Sequence, residues 1–101
     1  MLCALTVRKL KPGAMEDFKR AFIPPEGVET PAGWKRFYAL RNVDDENEVI
    51  TFGFFDGTLE ELRAGQRDSA DYDQRRQTAD EFVESMGVDG VFEVVEERSL
   101  D

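Results

Sequence analysis

Histidine is absent from the 101 residues, and cysteine occurs once, at Cys3. Without histidine the chain lacks the commonest general base near neutral pH, the commonest metal ligand and the usual haem ligand. A lone thiol adds no zinc or iron–sulfur site and has no partner for an internal disulfide. No apolar run approaches the roughly 20 residues of a membrane-spanning helix. There is no phosphate-binding loop, no dinucleotide-binding glycine motif and no nucleophile elbow. No cofactor and no metal are therefore expected. Positive charge is also short. Thirteen Lys/Arg stand against 22 Asp/Glu, a net charge of −9, which argues against nucleic acid or an anionic membrane as partner. The chain begins on strand-like sequence, Leu2 to Val7, without a signal-peptide layout, so the expected compartment is cytoplasmic.

What is present suits one soluble domain over residues 1–101. Its charge is unevenly placed: residues 1–43 carry eight Lys/Arg against four Asp/Glu, and residues 44–101 carry five against eighteen. Blocks of opposite sign attract where they meet, within a chain or between chains. The bland alternative is a solvated acidic surface.

Leu2 to Leu10 predicts a strand, closed by the turn signal Lys11-Pro12-Gly13. Met15, Phe18 and Phe22 recur at helical spacing, with Glu16 and Asp17 in the first turn, where negative charge suits the helix dipole. Pro24-Pro25 stops that helix, and a loop rich in Gly and Pro leads to Gly33. Two long strands follow around Asp44-Asp45-Glu46-Asn47. Thr58-Leu59-Glu60-Glu61 has capping-box spacing and opens a short helix to about Ala64, ended by Gly65. A longer helix is expected from about Ser69 to Met86, closed by Gly87, then a last strand from about Val91 to Arg98. This β-α-β-β-α-β order is the ferredoxin-like pattern, an α+β fold on an antiparallel sheet. The first and third strands are expected at the centre. The second, with Lys35, Arg36 and Arg41, and the fourth, with Glu93, Glu96 and Glu97, suit exposed edges.

The third strand, Val49-Ile50-Thr51-Phe52-Gly53-Phe54-Phe55, is apolar on both faces apart from a threonine and a glycine. Such a strand belongs in a sheet covered on both sides. Helices of one chain cover one side, and a second copy of the chain is the simplest cover for the other. A hairpin turn centred on Asp45-Glu46 pairs Phe37 with Phe54 and Ala39 with Phe52. Phe37, Ala39, Ile50, Phe52 and Phe54 then lie under the helices, with Met15, Phe18, Phe22, Phe82, Val83 and Met86 opposite them. Trp34, Arg36, Tyr38, Leu40, Val49, Thr51, Gly53 and Phe55 share the other face, and Gly53 leaves space opposite Tyr38. Aromatics mixed with a few polar groups describe either a small-molecule pocket or a subunit interface.

Within that set Arg36 and Tyr38 are the candidate catalytic groups. The arginine suits a carboxylate or enolate, and the tyrosine can hand on a proton. Trp34, Thr6, Arg8, Thr51 and Tyr72 are candidate substrate contacts. Cys3 shares parity with Leu5 and Val7 and is expected to be a small core residue rather than a nucleophile.

The strand Leu2–Leu10 with Lys11-Pro12-Gly13 and Met15-Glu16-Asp17-Phe18, the strand Trp34-Lys35-Arg36-Phe37-Tyr38, the run Ile50–Phe55 with Thr58-Leu59-Glu60-Glu61-Leu62, and Val91–Val95 resemble the dimeric α+β barrel superfamily, above all its antibiotic-biosynthesis-monooxygenase-like branch. The resemblance implies a homodimer whose two sheets face each other around a central barrel, with a pocket in each subunit. It also implies a small aromatic or polyketide-like ligand. Activities in the superfamily include cofactor-independent oxidation of phenols, haem degradation, lactone isomerisation and chlorite chemistry. The haem-degrading branch uses a histidine, which this chain lacks. Monooxygenase members tend to use an asparagine with a tryptophan and sometimes a tyrosine. Here Trp34 and Tyr38 are present, but the first strand holds no asparagine. A monooxygenase or isomerase, a non-catalytic ligand-binding module and a purely structural dimer all remain open on the sequence.

Overall fold

The computed structural model describes residues 1–23, 32–67 and 70–101, with backbone alone described at 70–72. Its elements are β1 (Leu2–Leu10), α1 (Met15–Phe22), β2 (Trp34–Asn42), β3 (Asp45–Phe55), α2 (Leu59–Arg67), α3 (Ala70–Asp80) and β4 (Val83–Glu93). The four strands form one antiparallel sheet in the order β2-β3-β1-β4. The ferredoxin-like arrangement is as expected, with β1 and β3 central and the charged strands at the edges. The expected stop at Pro24-Pro25, most of the loop after it and the helix start at Ser69 lie outside the described residues.

Helix α1 forms because its charges and its apolar stripe agree. Glu16 pairs with Lys19 and Asp17 with Arg20, each at 3.3 Å, acids in the first turn and bases in the last. Phe18 and Phe22 stack at 5.4 Å on the opposite side and are buried. Helix α2 opens on the expected capping box. The Glu61 amide donates to Thr58 Oγ1 and the Thr58 amide to Glu61 Oε1, both at 3.1 Å. It does not stop at Gly65 but runs to Arg67. The core gathers on the helix side of the sheet around Leu10, Ala14, Phe18, Phe22, Val49 and Ala79, with Met15, Ile23, Phe82 and Val83 against it.

The largest departure from expectation in the second half of the chain lies between α3 and β4. The helix expected to reach Met86 ends at Asp80, and Val83 to Met86 belong to β4. β1 is nine residues long and central, so its second edge needs a partner along its whole length. β4 supplies it from Leu10↔Val83 to Leu2↔Glu93. The Phe82 amide donates to the Ala79 carbonyl at 3.0 Å, and the Lys11 amide to the Phe82 carbonyl at 2.9 Å, which turns the chain directly into the ladder. Gly87, expected to close the helix, lies instead at a break in register between Val7↔Val88 and Arg8↔Met86. Residues 94–101 follow without regular structure, so Glu96 and Glu97 lie beyond the strand.

The second correction concerns the faces. Tyr38 pairs with Phe52, Phe37 with Gly53 and Leu40 with Ile50, one residue away from the expected register. The hairpin closes at Val43-Asp44 with Asn42↔Asp45, and the next pair is Arg41↔Val49. Three residues, Glu46, Asn47 and Glu48, are therefore taken up on β3 alone. Side chains hold this bulge. Asn42 Oδ1 accepts from the Asp44 amide at 2.8 Å, Asp45 Oδ1 from the Asn47 amide at 3.0 Å, and Glu48 Oε1 from Asn42 Nδ2 at 3.0 Å. Lys9 pairs with Asp45 and ties the bulge to β1. A slip of one residue moves every side chain of a strand to the other face. Val49, Thr51, Gly53 and Phe55 thus lie buried under the helices. Ile50, Phe52 and Phe54 are half-buried on the side that no helix covers.

Candidate functional site

On the helix side, β1 presents Thr6, Arg8 and Leu10 and β3 presents Val49, Thr51, Gly53 and Phe55, because alternate residues of a strand share a face. Thr6↔Thr51 and Arg8↔Val49 are cross-strand pairs. The two threonine hydroxyls lie 2.7 Å apart, and Arg8 NH1 donates to both, to Thr6 Oγ1 at 2.8 Å and to Thr51 Oγ1 at 3.0 Å. Only 1% of Arg8 is exposed. Its guanidinium lies over the rings of Phe18 and Phe22, 5.4 and 4.6 Å from their centroids. A desolvated cation against aromatic faces gains roughly 2 kcal/mol or more from each favourable contact, and hydrogen bonds offset part of its desolvation. The result is a fixed positive charge with two hydroxyls beside it, inside an aromatic layer. A charge so held can stabilise an anionic oxygen.

Trp34 belongs to the same side. Its ring meets that of Phe55 at 5.2 Å, edge to face, and lies over Gly53, where any Cβ would come within 3.0 Å of it. The space expected opposite Tyr38 is thus filled by tryptophan, and the residue opposite Gly53 is Phe37. Gly33 has φ +98°, and a side chain there would run into the Phe55 ring, so the backbone before Trp34 requires glycine.

Arg36 and Tyr38 stand on the opposite face. Arg36 NH1 donates to the Tyr38 hydroxyl at 3.2 Å. This bond first, and then the charge of Glu97, hold the guanidinium more firmly protonated than usual. Tyr38 stacks on Phe52 at 5.1 Å, and both meet Phe54 edge to face. Leu40, Val88 and Phe92 add to this side and are more than two-fifths exposed in the single chain. Cys3 sits here too, half-buried opposite Phe54, with its thiol pushed up by burial.

The candidate residues thus fall into two groups with the sheet between them: Thr6, Arg8, Thr51 and Trp34 on one side, Arg36 and Tyr38 on the other. Tyr72 lies on α3, and its side chain is outside the described residues. Sequence reasoning missed the two phenylalanines that flank Arg8, which it placed only in the core. It also missed a groove of about 480 Å³ lined by Arg63, Gln66, Arg67, Asp73 and Arg76. The visible signal for the groove was a pair of arginines four apart in the acidic half of the chain. Among the described residues no group of three or more Cys, Asp or Glu is placed to hold a metal ion, and no helix is long and apolar enough to cross a membrane.

No family model and no curated protein matches the chain. Solved structures do. A Nitrosomonas europaea protein named as a candidate antibiotic biosynthesis monooxygenase is similar at 20% identity and a TM-score of 0.73, over 95% of this chain and 100% of that one. One of the same description from Chloroflexus aurantiacus is similar at 10% identity and a TM-score of 0.76, over 99% and 98%. Rv0793 from Mycobacterium tuberculosis follows at 19% identity and 0.71, over 97% and 98%. At these identities the likeness establishes the fold: this chain has the ferredoxin-like α+β fold of antibiotic-biosynthesis-monooxygenase-like structures.

Proposed function

We propose that this chain is a homodimeric enzyme that oxidises an aromatic, polyketide-like phenol with dioxygen and without a cofactor. The observation that carries the reading is the buried Arg8 guanidinium, fixed by Thr6 and Thr51 against aromatic rings. A phenol or anthrone becomes reactive toward dioxygen once it is deprotonated, and a buried cation favours the anion. In this reading Arg8 holds the anionic oxygen, Thr6 and Thr51 orient it, and Trp34 with Phe55 forms a wall for the ring. The electron balance is complete without another reactant. A ring CH2 group loses a proton, the carbanion adds to dioxygen, and the peroxide takes up the proton. Loss of water then leaves a carbonyl, with four electrons gone from carbon and four gained by oxygen. The likeness in fold to proteins named as candidate monooxygenases supports the same class.

Arg36 and Tyr38 lie across the sheet from Arg8. In this reading they belong to the contact between subunits, where two apolar sheet faces meet. Oxygen uptake with a hydroxyanthrone, matched by quinone absorbance, tests the activity. Arg8→Met, with its fold checked by circular dichroism, is expected to abolish uptake. No uptake with any of several phenols would overturn the reading. Light scattering tests the dimer; a mass near 11.5 kDa at micromolar concentration would exclude it. The close packing of Phe18 and Phe22 on Arg8 favours a second reading, a ligand-binding module without turnover. Thermal stabilisation by aromatic acids without oxygen uptake would select it.

A further inference from the structure

The reaction proposed above leaves one concentration of charge unused. Residues 44–101 hold only five Lys/Arg, and three of them, Arg63, Arg67 and Arg76, line a single groove. Arg63 and Arg67 stand one turn apart on α2, where like charges repel. Arg76 comes from α3 and reaches β4, where its NH2 group lies 2.5 Å from Asp89 Oδ2 and 4.0 Å from the Met86 sulfur. Those two residues link the groove to the buried cluster. Asp89 is the cross-strand partner of Thr6, and Met86 is the cross-strand partner of Arg8. Arg76 thus joins the groove to the stretch of β4 that pairs with Thr6 and Arg8.

We infer that this groove is the entrance to the Arg8 site and that it selects aromatic substrates bearing a carboxylate. The inference rests on the proposed aromatic site and names the class of molecule that site takes. A chain of net charge −9 repels anions at long range, whereas three arginines in one concavity reverse the field locally and gather them. A substrate carboxylate arriving at Arg76 replaces the Asp89 carboxylate on the same guanidinium, so one charge-assisted contact is exchanged for another. Its phenolic oxygen, at the other end of the ring, is the group left for Arg8. Asp73, the one acid among the described lining residues, repels anions less than the three arginines attract them.

The probes are hydroxynaphthoate, which carries the carboxylate, and naphthol, which does not. Both are followed by stopped-flow fluorescence with the intact chain and with the double variant Arg63→Glu, Arg67→Glu, whose positions are exposed. Wild type is expected to take up the acid faster than the neutral ring. The double variant is expected to slow the acid's association roughly tenfold at low salt, with the difference shrinking as salt rises. Circular dichroism confirms that the variant folds. If naphthol binds but the acid has no advantage in wild type, or keeps its advantage in the variant, the entrance is refuted while the aromatic site stands. Binding of neither probe overturns both.

Discussion

The sheet has two faces, and β3 feeds both. Toward the helices it sends Val49, Thr51, Gly53 and Phe55, and away from them Ile50, Phe52 and Phe54. The covered face is the one with polar chemistry at its centre. There Thr6, Arg8 and Thr51 are all within a tenth of full burial. The uncovered face is more uniformly apolar, with aromatic rings stacked in the open and charges kept to its ends at Lys9 and Arg36. That is the reverse of the usual division of a half-exposed sheet into apolar inside and polar outside. A polar group survives under helices only if its hydrogen bonds are satisfied, as Arg8 donates to two hydroxyls. A bare apolar sheet face calls for a partner surface.

The comparison can be broken most directly by truncating one ring on each side. Phe18→Ala is expected to lose about 3–5 kcal/mol of stability, because Phe18 is fully buried and packs on Arg8. Phe92→Ala, half exposed in the single chain, is expected to lose far less in urea unfolding at high dilution. Equal losses would mean that the two faces are not differently buried. The polar cluster gives a smaller effect. Thr51→Val keeps the shape but removes an acceptor from Arg8, at an expected cost of about 1–3 kcal/mol. A change within error would show that the hydroxyl is dispensable. On the open side, Tyr38→Phe removes the oxygen that accepts from Arg36, and thermal unfolding is expected to move by less than about 0.5 kcal/mol, as at other exposed positions.

The smallest effect is expected at the rim, where Lys9 meets Asp45. The bond from Lys9, with that from the Asn47 amide, lowers the Asp45 carboxyl, and the same ion pair raises Lys9. A lowered acid stabilises above its unfolded pKa, roughly 4, and that stability is lost as pH falls through the folded value. A raised lysine stabilises fully below its unfolded pKa, roughly 10.4, and loses this as pH rises through its folded value. Unfolding of Asp45→Asn against wild type should therefore differ on the neutral plateau and converge at both extremes. Parallel curves at every pH would show that the pair contributes nothing.

Much of the fold was legible in the residues. β1 and α1 carry unambiguous period and punctuation, and the central and edge strands differ in charge. The register was not legible, because β3 offers an apolar set on either parity and the pattern cannot choose between them. The choice is made by the side chains of Asn42, Asp45 and Glu48, whose hydrogen bonds stabilise a three-residue bulge. The start of β4 was hidden for a similar reason. Phe82, Val83 and Met86 fit a helical stripe as well as a strand, and only the unpaired length of β1 decides. Thr6, Arg8 and Thr51 were recognisable as candidates by type. That they share one side with Trp34 and not with Arg36 and Tyr38 follows from a second break in register, between Trp34 and Arg36, which turns Trp34 to the face opposite Arg36.

The bulge of Glu46, Asn47 and Glu48 also sets a rule for heredity. Hairpin ends are normally where a lineage gains and loses codons freely. Here β3 is anchored from its other side by β1, so losing one codon would turn β2 over. Arg36 and Tyr38 would then face the helices, and Phe37 would face outward. Losing two codons together would shorten the loop and leave every residue on its own side. Descendants of this chain should therefore vary in hairpin length by even steps.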